Sequence, residues 1–387
     1  MIKRSAFFVA LLIGLFLGGT VYALQISQIQ FDLYLSAGGA ATHTFQVRNP
    51  DAQPQEITVY LGDWVRTVEG AHDFLPPKGA RWLFPRSFAA GEEMEILYRV
   101  AIPLTALSVS GGYITSSPSM RGQIVGEPTL SPTLVGQAPP PAPPPATDAF
   151  VRITREIIDA TPAGDHVTVR LHVHILQEIA GLRIDEIFSA SAQVESLDPA
   201  GGEFETVNRS NSDWITVTPL RFTIGAGEVQ EITFQIQVPF GKTGTHWGMI
   251  FVSGSPRPQE RGGATVLAVQ RFGVKVYTTI RGTERLSGQI LRVRKGSHDP
   301  LTFSVSFENT GNVQLWPTGK INVINLYGEI VRSLQIEEFP LLPERVRVLT
   351  VVDPAGRPLP PGIYRAIVMI DYGGDTIAGG TRDFRIR

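Results

Sequence analysis

His172 and His174 stand two residues apart in the run Val167-Thr168-Val169-Arg170-Leu171-His172-Val173-His174-Ile175. Side chains alternate along a strand with a period of two. Both rings, and His166 before them, therefore fall on one face, opposite Val167, Val169, Leu171, Val173 and Ile175. A histidine pair at i, i+2 ligates a metal when a neighbouring strand supplies a third ligand. The same pattern also describes a solvated polar face shared with Arg170 and Thr168, and no metal or cofactor is expected from the chain as a whole. Asp185-Glu186 and Glu337-Glu338 are the paired carboxylates that general acid–base work uses. Both read as turn positions, and nothing sets them in a cleft. The sequence has no nucleophile elbow, no His-Glu-x-x-His, no phosphate loop and no calcium loop. The expectation is a protein without catalytic chemistry; the polar cluster around His172 and His174 is the one place an exported hydrolase would use.

The tryptophans are the other residues with binding chemistry, because an exposed indole stacks on a sugar or a partner. Trp82 and Trp214 sit at matching places in two similar stretches and read as core. Trp247, after His246 at the head of a Gly-led strand, reads either as core or as a stacking residue. Trp64 and Trp316 are less constrained, with Trp316 next to Pro317 after an Asn-rich turn. These two are the candidate binding residues.

The elements that would position these groups are strands. Residues 80–118 and 213–254 repeat one pattern: Trp, Pro, Phe, a Gly-Glu turn, an alternating strand closing on Pro, then a Gly-led strand. An internal repeat of strand–turn–strand units points to a string of β-domains. Alternation recurs at Phe45 and Val47, at Ile57, Val59 and Leu61, at Ile96, Tyr98 and Val100, and at Phe303, Val305 and Phe307, with turn residues between. The fold class expected is all-β, about three tandem immunoglobulin-like sandwiches. The expected boundaries are 24–119, 148–282 and 283–387. The segment 120–147, with Pro139-Pro140-Pro141 and Pro143-Pro144-Pro145, reads as a semi-rigid linker or a long loop. Residues 150–158 fit either neighbour.

Composition limits the partners. The 387 residues carry a formal net charge of −2 with 18% charged side chains, which argues against a nucleic-acid surface. Lys3-Arg4, the apolar run Ala6–Leu17 and Val21-Tyr22-Ala23 form a secretory leader over 1–23. Its apolar run is short of the ~20 residues a span needs, so no membrane span is expected after cleavage. There is no cysteine, so stability in an exported setting has to come from core packing.

The stretch Phe45-Gln46-Val47-Arg48-Asn49-Pro50, followed by Ala80 to Phe88 and Gly91-Glu92, resembles the PapD-like immunoglobulin fold of periplasmic pilus chaperones. The later chain, through Gly244 to Val252, Phe272 to Thr283 and Asn309-Thr310-Gly311-Asn312, is similar in layout to the WxL-interacting proteins of Gram-positive surfaces. The chaperone family places a basic residue on its first strand; the matching stretch Gln30-Phe31-Asp32-Leu33 has Asp32. The resemblance implies an exported scaffold or chaperone-like protein, in the periplasm or at the cell surface. It would bind other envelope or pilus proteins by β-strand pairing. The alternative is a cell-wall or carbohydrate-binding surface module that uses Trp64 and Trp316.

Overall fold

The computed structural model describes residues 24–75, 79–101, 109–114, 125–130, 150–160, 166–188, 193–198, 200–261 and 264–386. The expected leader, 1–23, lies outside them. The chain is all-β and runs in four stretches. The first holds β1 (Gln25–Ile26), β2 (Gln30–Leu35), β3 (Ala40–Arg48), β4 (Gln55–Arg66) and β5 (His72–Leu75). The second holds β6 (Gly79–Phe84), β7 (Glu93–Val100), β8 (Val109–Ile114), β9 (Val125–Leu130), β10 (Val151–Ala160), β11 (Val167–Ile175), β12 (Leu182–Phe188), β13 (Val194–Asp198) and β14 (Glu203–Thr206). A 3-10 turn, Ser212–Trp214, leads into the third. That stretch holds β15 (Ile215–Thr218), β16 (Arg221–Ile224), β17 (Val229–Gln237), β18 (Gly244–Gly254), β19 (Arg257–Arg261), β20 (Ala264–Ala268) and β21 (Arg271–Ile280). The last holds β22 (Gly288–His298), β23 (Leu301–Asn309), β24 (Thr318–Ile324), β25 (Ile330–Ile336), β26 (Val346–Val352), β27 (Gly362–Asp371) and β28 (Ala378–Ile386).

The first and third stretches make one sandwich, with sheets ordered β1-β3-β17-β15 and β16-β4-β18-β21-β2. Its core joins Phe45, Val47, Ile57 and Val59 to Ile232, Phe234, Ile250 and Val276. β18 is buried along nearly its whole length, because β4 and β21 flank it and both of its faces are covered. The second stretch makes a separate lobe inserted between β5 and β15, with sheets β10-β11-β7-β13 and β14-β6-β12-β8-β9. The boundaries expected at 24–119 and 148–282 are therefore corrected. β3 pairs with β17, and β7 with β11 and β13, so each expected unit held half of two different sandwiches.

The two lobes place equivalent strands in equivalent positions. β3, β17, β4, β18 and β21 of the first correspond to β11, β7, β12, β8 and β9 of the inserted one. This is the repeat visible in the sequence, but the inserted copy starts partway through the pattern. In the first lobe β3 and β4 precede β17, whereas in the inserted lobe β7 precedes β11 and β12. Of the two readings of 120–147, linker or long loop, the position between β9 and β10 of one lobe fits the loop; β9 itself falls inside the segment, and Pro139-Pro140-Pro141 and Pro143-Pro144-Pro145 lie outside the described residues.

The last stretch forms a seven-strand sandwich, β22-β23-β26 against β25-β24-β27-β28; its fourth strand, β25, pairs with the third, β24, whereas a constant-type immunoglobulin domain keeps its fourth strand in the sheet of the first, second and fifth. Tyr364, early in β27, donates from its hydroxyl to Pro360 O at 2.8 Å, the corner bond of that fold.

One turn occurs three times. Asn49, just past β3, and Ile175 and Asn309, the last residues of β11 and β23, each exchange backbone bonds with a pair of turn residues. The bonds are Gly227 N to Asn49 O with Asn49 N to Glu228 O, Gly91 N to Ile175 O with Ile175 N to Glu92 O, and Glu344 N to Asn309 O with Asn309 N to Arg345 O. The first turn residue is left-handed in all three, at φ 73° for Gly227, 85° for Gly91 and 60° for Glu344. Glycine suits that conformation; Glu344 adopts it against steric cost.

Candidate functional site

β2 lies at an edge of the largest sheet and pairs on one side only, in parallel, with β21. Phe31 and Leu33 point into the core, whereas Asp32 and Tyr34 are exposed, Tyr34 by 56%. Lys275 N bonds Ile29 O and Arg281 N bonds Leu35 O. The odd-numbered residues thus spend their backbone groups on β21. Alternation turns the N–H and C=O groups of Gln30, Asp32 and Tyr34 outward, with no strand beside them among the described residues.

The outer face of the same sheet carries a second, closed feature. Trp64, Val65, Leu75, Val207, Trp247, Met249, Phe251 and Tyr277 cluster with Leu342 of the last lobe. Four further contacts fasten that lobe here. Val348 N bonds Val68 O at 2.8 Å, Thr245 N bonds Asn312 O at 2.8 Å, Arg209 pairs with Glu344 at 2.8 Å, and Arg345 donates to Thr206 O. Asn312 adds a bond from its side-chain amide to Thr283 O. All three lobes meet at this junction.

Trp64, expected as a candidate binding residue, is fully buried in it. Its carbonyl accepts from Trp247 Nε1 at 2.8 Å, and its ring lies 5.0 Å from His72 and 6.0 Å from Tyr277. β4 runs past the edge of the first sandwich into the junction, which covers the indole. Trp82 and Trp214 are core, as their repeat positions imply, and of the two readings of Trp247 the core one holds. Trp316 is 40% exposed, so it alone could serve the carbohydrate reading.

His172 and His174 do lie on the outer face of β11, and all five apolar residues opposite them are buried. Carboxylates from both neighbouring strands meet them. His172 Nδ1 is 3.1 Å from Glu95 and Nε2 is 3.2 Å from Glu156; His174 Nδ1 is 2.7 Å from Glu93. Arg170 sits between the same carboxylates, 3.2 Å from Glu156. Each ring is thus taken up in an exposed ion-pair network. Among the described residues no three His, Cys, Asp or Glu side chains are placed to hold a metal. Thr168 lies on the same face but is buried, so the solvated stretch expected there stops short of it.

Asp185 and Glu186 are not on a turn. They lie mid-strand in β12, point to opposite sides and are both buried. Glu186 faces the inserted core, where Arg155 donates at 2.6 Å and Tyr98 at 3.1 Å. Burial, then the Glu186 charge, pushes the Tyr98 hydroxyl well above its ordinary range. Asp185 accepts from Arg81 at 2.7 Å and from Arg183. Burial works to raise its pKa, and the bonds from Arg183 and Arg81 overcome that and hold it below the usual value. The Glu186 contacts join the two sheets of the lobe, whereas the Asp185 contacts stay within one, between the neighbouring strands β6 and β12. Sequence reasoning missed them because Arg81 and Asp185 are 104 residues apart.

No protein-family model matches the chain, and no curated protein matches it. Solved structures similar to it include fimbrial chaperones. The class 5 fimbriae chaperone CfaA is 8% identical over 93% of this chain and 98% of that one, with a TM-score of 0.34. The chaperone–tip adhesion subunit complex CsuC–CsuE of Acinetobacter baumannii gives 6% identity over 93% and 98%, at 0.33. The E. coli chaperone DraB gives 10% over 95% and 96%, at 0.30. Overlays this loose transfer neither a binding edge nor a residue's role.

Proposed function

We propose that this chain is an exported, non-enzymatic scaffold or chaperone-like protein that holds an extended segment of another envelope or pilus protein by adding it as a strand beside β2. The observation that supports this is the free edge of Gln30–Leu35, whose side chains are anchored in the core while alternate backbone groups face outward. A backbone edge fixed in this way provides hydrogen bonds to any extended peptide, and Tyr34 beside it provides side-chain contact.

The test uses proline, which removes an N–H but is tolerated where that N–H faces outward at an edge. Tyr34→Pro leaves the β21 pairing intact and should abolish capture of exported proteins by a photo-crosslinker placed at position 36 in the producing cell. The folded state should persist, as read by an unchanged cooperative melt. Capture that survives Tyr34→Pro with the fold intact overturns the assignment to this edge.

A further inference from the structure

The junction holds three cations whose nitrogens are only partly met by acceptors among the described residues. Arg66 on β4, Lys275 on β21 and Arg347 on β26 converge around the Trp64 ring and Gly70. Arg66 Cζ stands 5.7 Å and Lys275 Nζ 5.3 Å from the Trp64 ring centre. Arg66 also donates to Gly70 O at 3.0 Å. The Arg347 guanidinium lies against Gly70 so closely that a Cβ there would fall 1.4 Å from Nη1. The backbone there has a φ of 92°, which favours glycine, and any larger residue would also displace the Arg347 guanidinium.

Arg66 spends other donors on Gly70 O and the Tyr277 hydroxyl, while its Nε, with Arg347 Nε and Nη1, is hidden from solvent and has no hydrogen-bond partner among the described residues. Two carboxylates act nearby, Glu69 on Arg347 and the exposed Asp32 on Tyr277, yet neither satisfies these nitrogens. The charges oppose one another. Burial and then Arg66 lower the pKa of both Lys275 and Arg347. Burial, with Lys275 and Arg66, brings His72 down to about 4, so it stays neutral beside them. Buried cationic donors without acceptors are costly, and a native structure resolves them with an ion or water.

We infer that this junction is a site for a tetrahedral oxyanion, phosphate or sulfate, free or carried as an ester. The donors arrive from three strands and two lobes, and so from more than one direction. A tetrahedral anion offers oxygens in each of those directions, which a flat carboxylate does not. The bound anion would bridge the first and last lobes, because Arg66 and Lys275 belong to one and Arg347 to the other. The inference does not depend on whether β2 pairs with a client.

The experiment titrates the purified full chain with inorganic phosphate and sulfate at constant ionic strength, against acetate and chloride, and reads melting temperature and calorimetric binding. The expected result is saturable binding of phosphate and sulfate with a rising melt, and neither effect from acetate or chloride. Arg347→Gln should weaken phosphate binding at least tenfold, while Arg271→Gln, an exposed cation beside Phe251, should not change it. Without phosphate, Arg347→Gln should melt no lower than the parent, since it removes an uncompensated charge; that separates lost binding from lost folding. Glycerol phosphate bound as tightly as phosphate identifies an ester-accepting site, and phosphate alone identifies a free-ion site. Equal responses to all anions, preference for acetate, or binding untouched by Arg347→Gln overturns the inference.

Discussion

The inserted lobe and the three-lobe junction both hold arginine nitrogens away from water, and they resolve this oppositely. In the inserted lobe Arg155 meets Glu186 at 2.6 Å and Arg81 meets Asp185 at 2.7 Å, all four groups almost fully buried. At the junction Arg66 and Arg347 keep nitrogens without acceptors. A buried guanidinium with its carboxylate is part of the scaffold; one without it keeps donors that the proposed oxyanion would satisfy. The residue type is the same, and the counter-charge decides its role.

The sharpest way to break this contrast is Glu186→Gln. It keeps the volume and strands the Arg155 charge in the core, so stability should fall by about 3–5 kcal/mol in urea unfolding. A loss below about 1 kcal/mol would mean that the pair is not the scaffold element described. His246 offers a third resolution, a buried group that stays neutral. Burial, then Arg209 and Lys242, brings it down to about 4, against an ordinary value of about 6.5. The unfolded chain therefore takes up the proton first. Stability from this group is complete above about pH 6.5 and is lost as pH falls toward 4, by up to ~3 kcal/mol. His246→Gln should flatten that part of the stability–pH curve. The smallest effect is expected for Tyr98→Phe, which removes one of several donors to Glu186 and should cost about 1–2 kcal/mol by the same urea measurement.

Particular residues show how far the sequence could be read. The alternation of Val167 to Ile175 identified both faces of β11, and the Trp-to-Gly repeat identified equivalent strands in two lobes. Asn309 and Asn312 marked a turn that proves structural twice over. Asn309 bonds its own turn at Val313 O and the facing strand end at Leu341 O, while Asn312 ties two lobes together. Which strand pairs with which was not legible, because hydrophobic period says that a strand is half-buried and nothing about its neighbour. The nesting, the burial of Trp64 and the partners of Asp185 and Glu186 all depend on that pairing. The ion pairs of His172 were hidden for the same reason: Glu95 and Glu156 reach it only through the registers of β7 and β10.

The nesting also sets a timetable. Asn49 finds Ile224 O 175 residues later in the chain, and at roughly 5–20 residues per second that partner is synthesised about 9–35 s after it. Meanwhile every strand of the inserted lobe has been made. The lobe that comes second in space is thus the first that can close, and β1 to β4 wait as an open half-sandwich with Phe45, Val47, Ile57 and Val59 uncovered. A chain built in this order needs its earliest apolar strands kept apart until its later ones arrive.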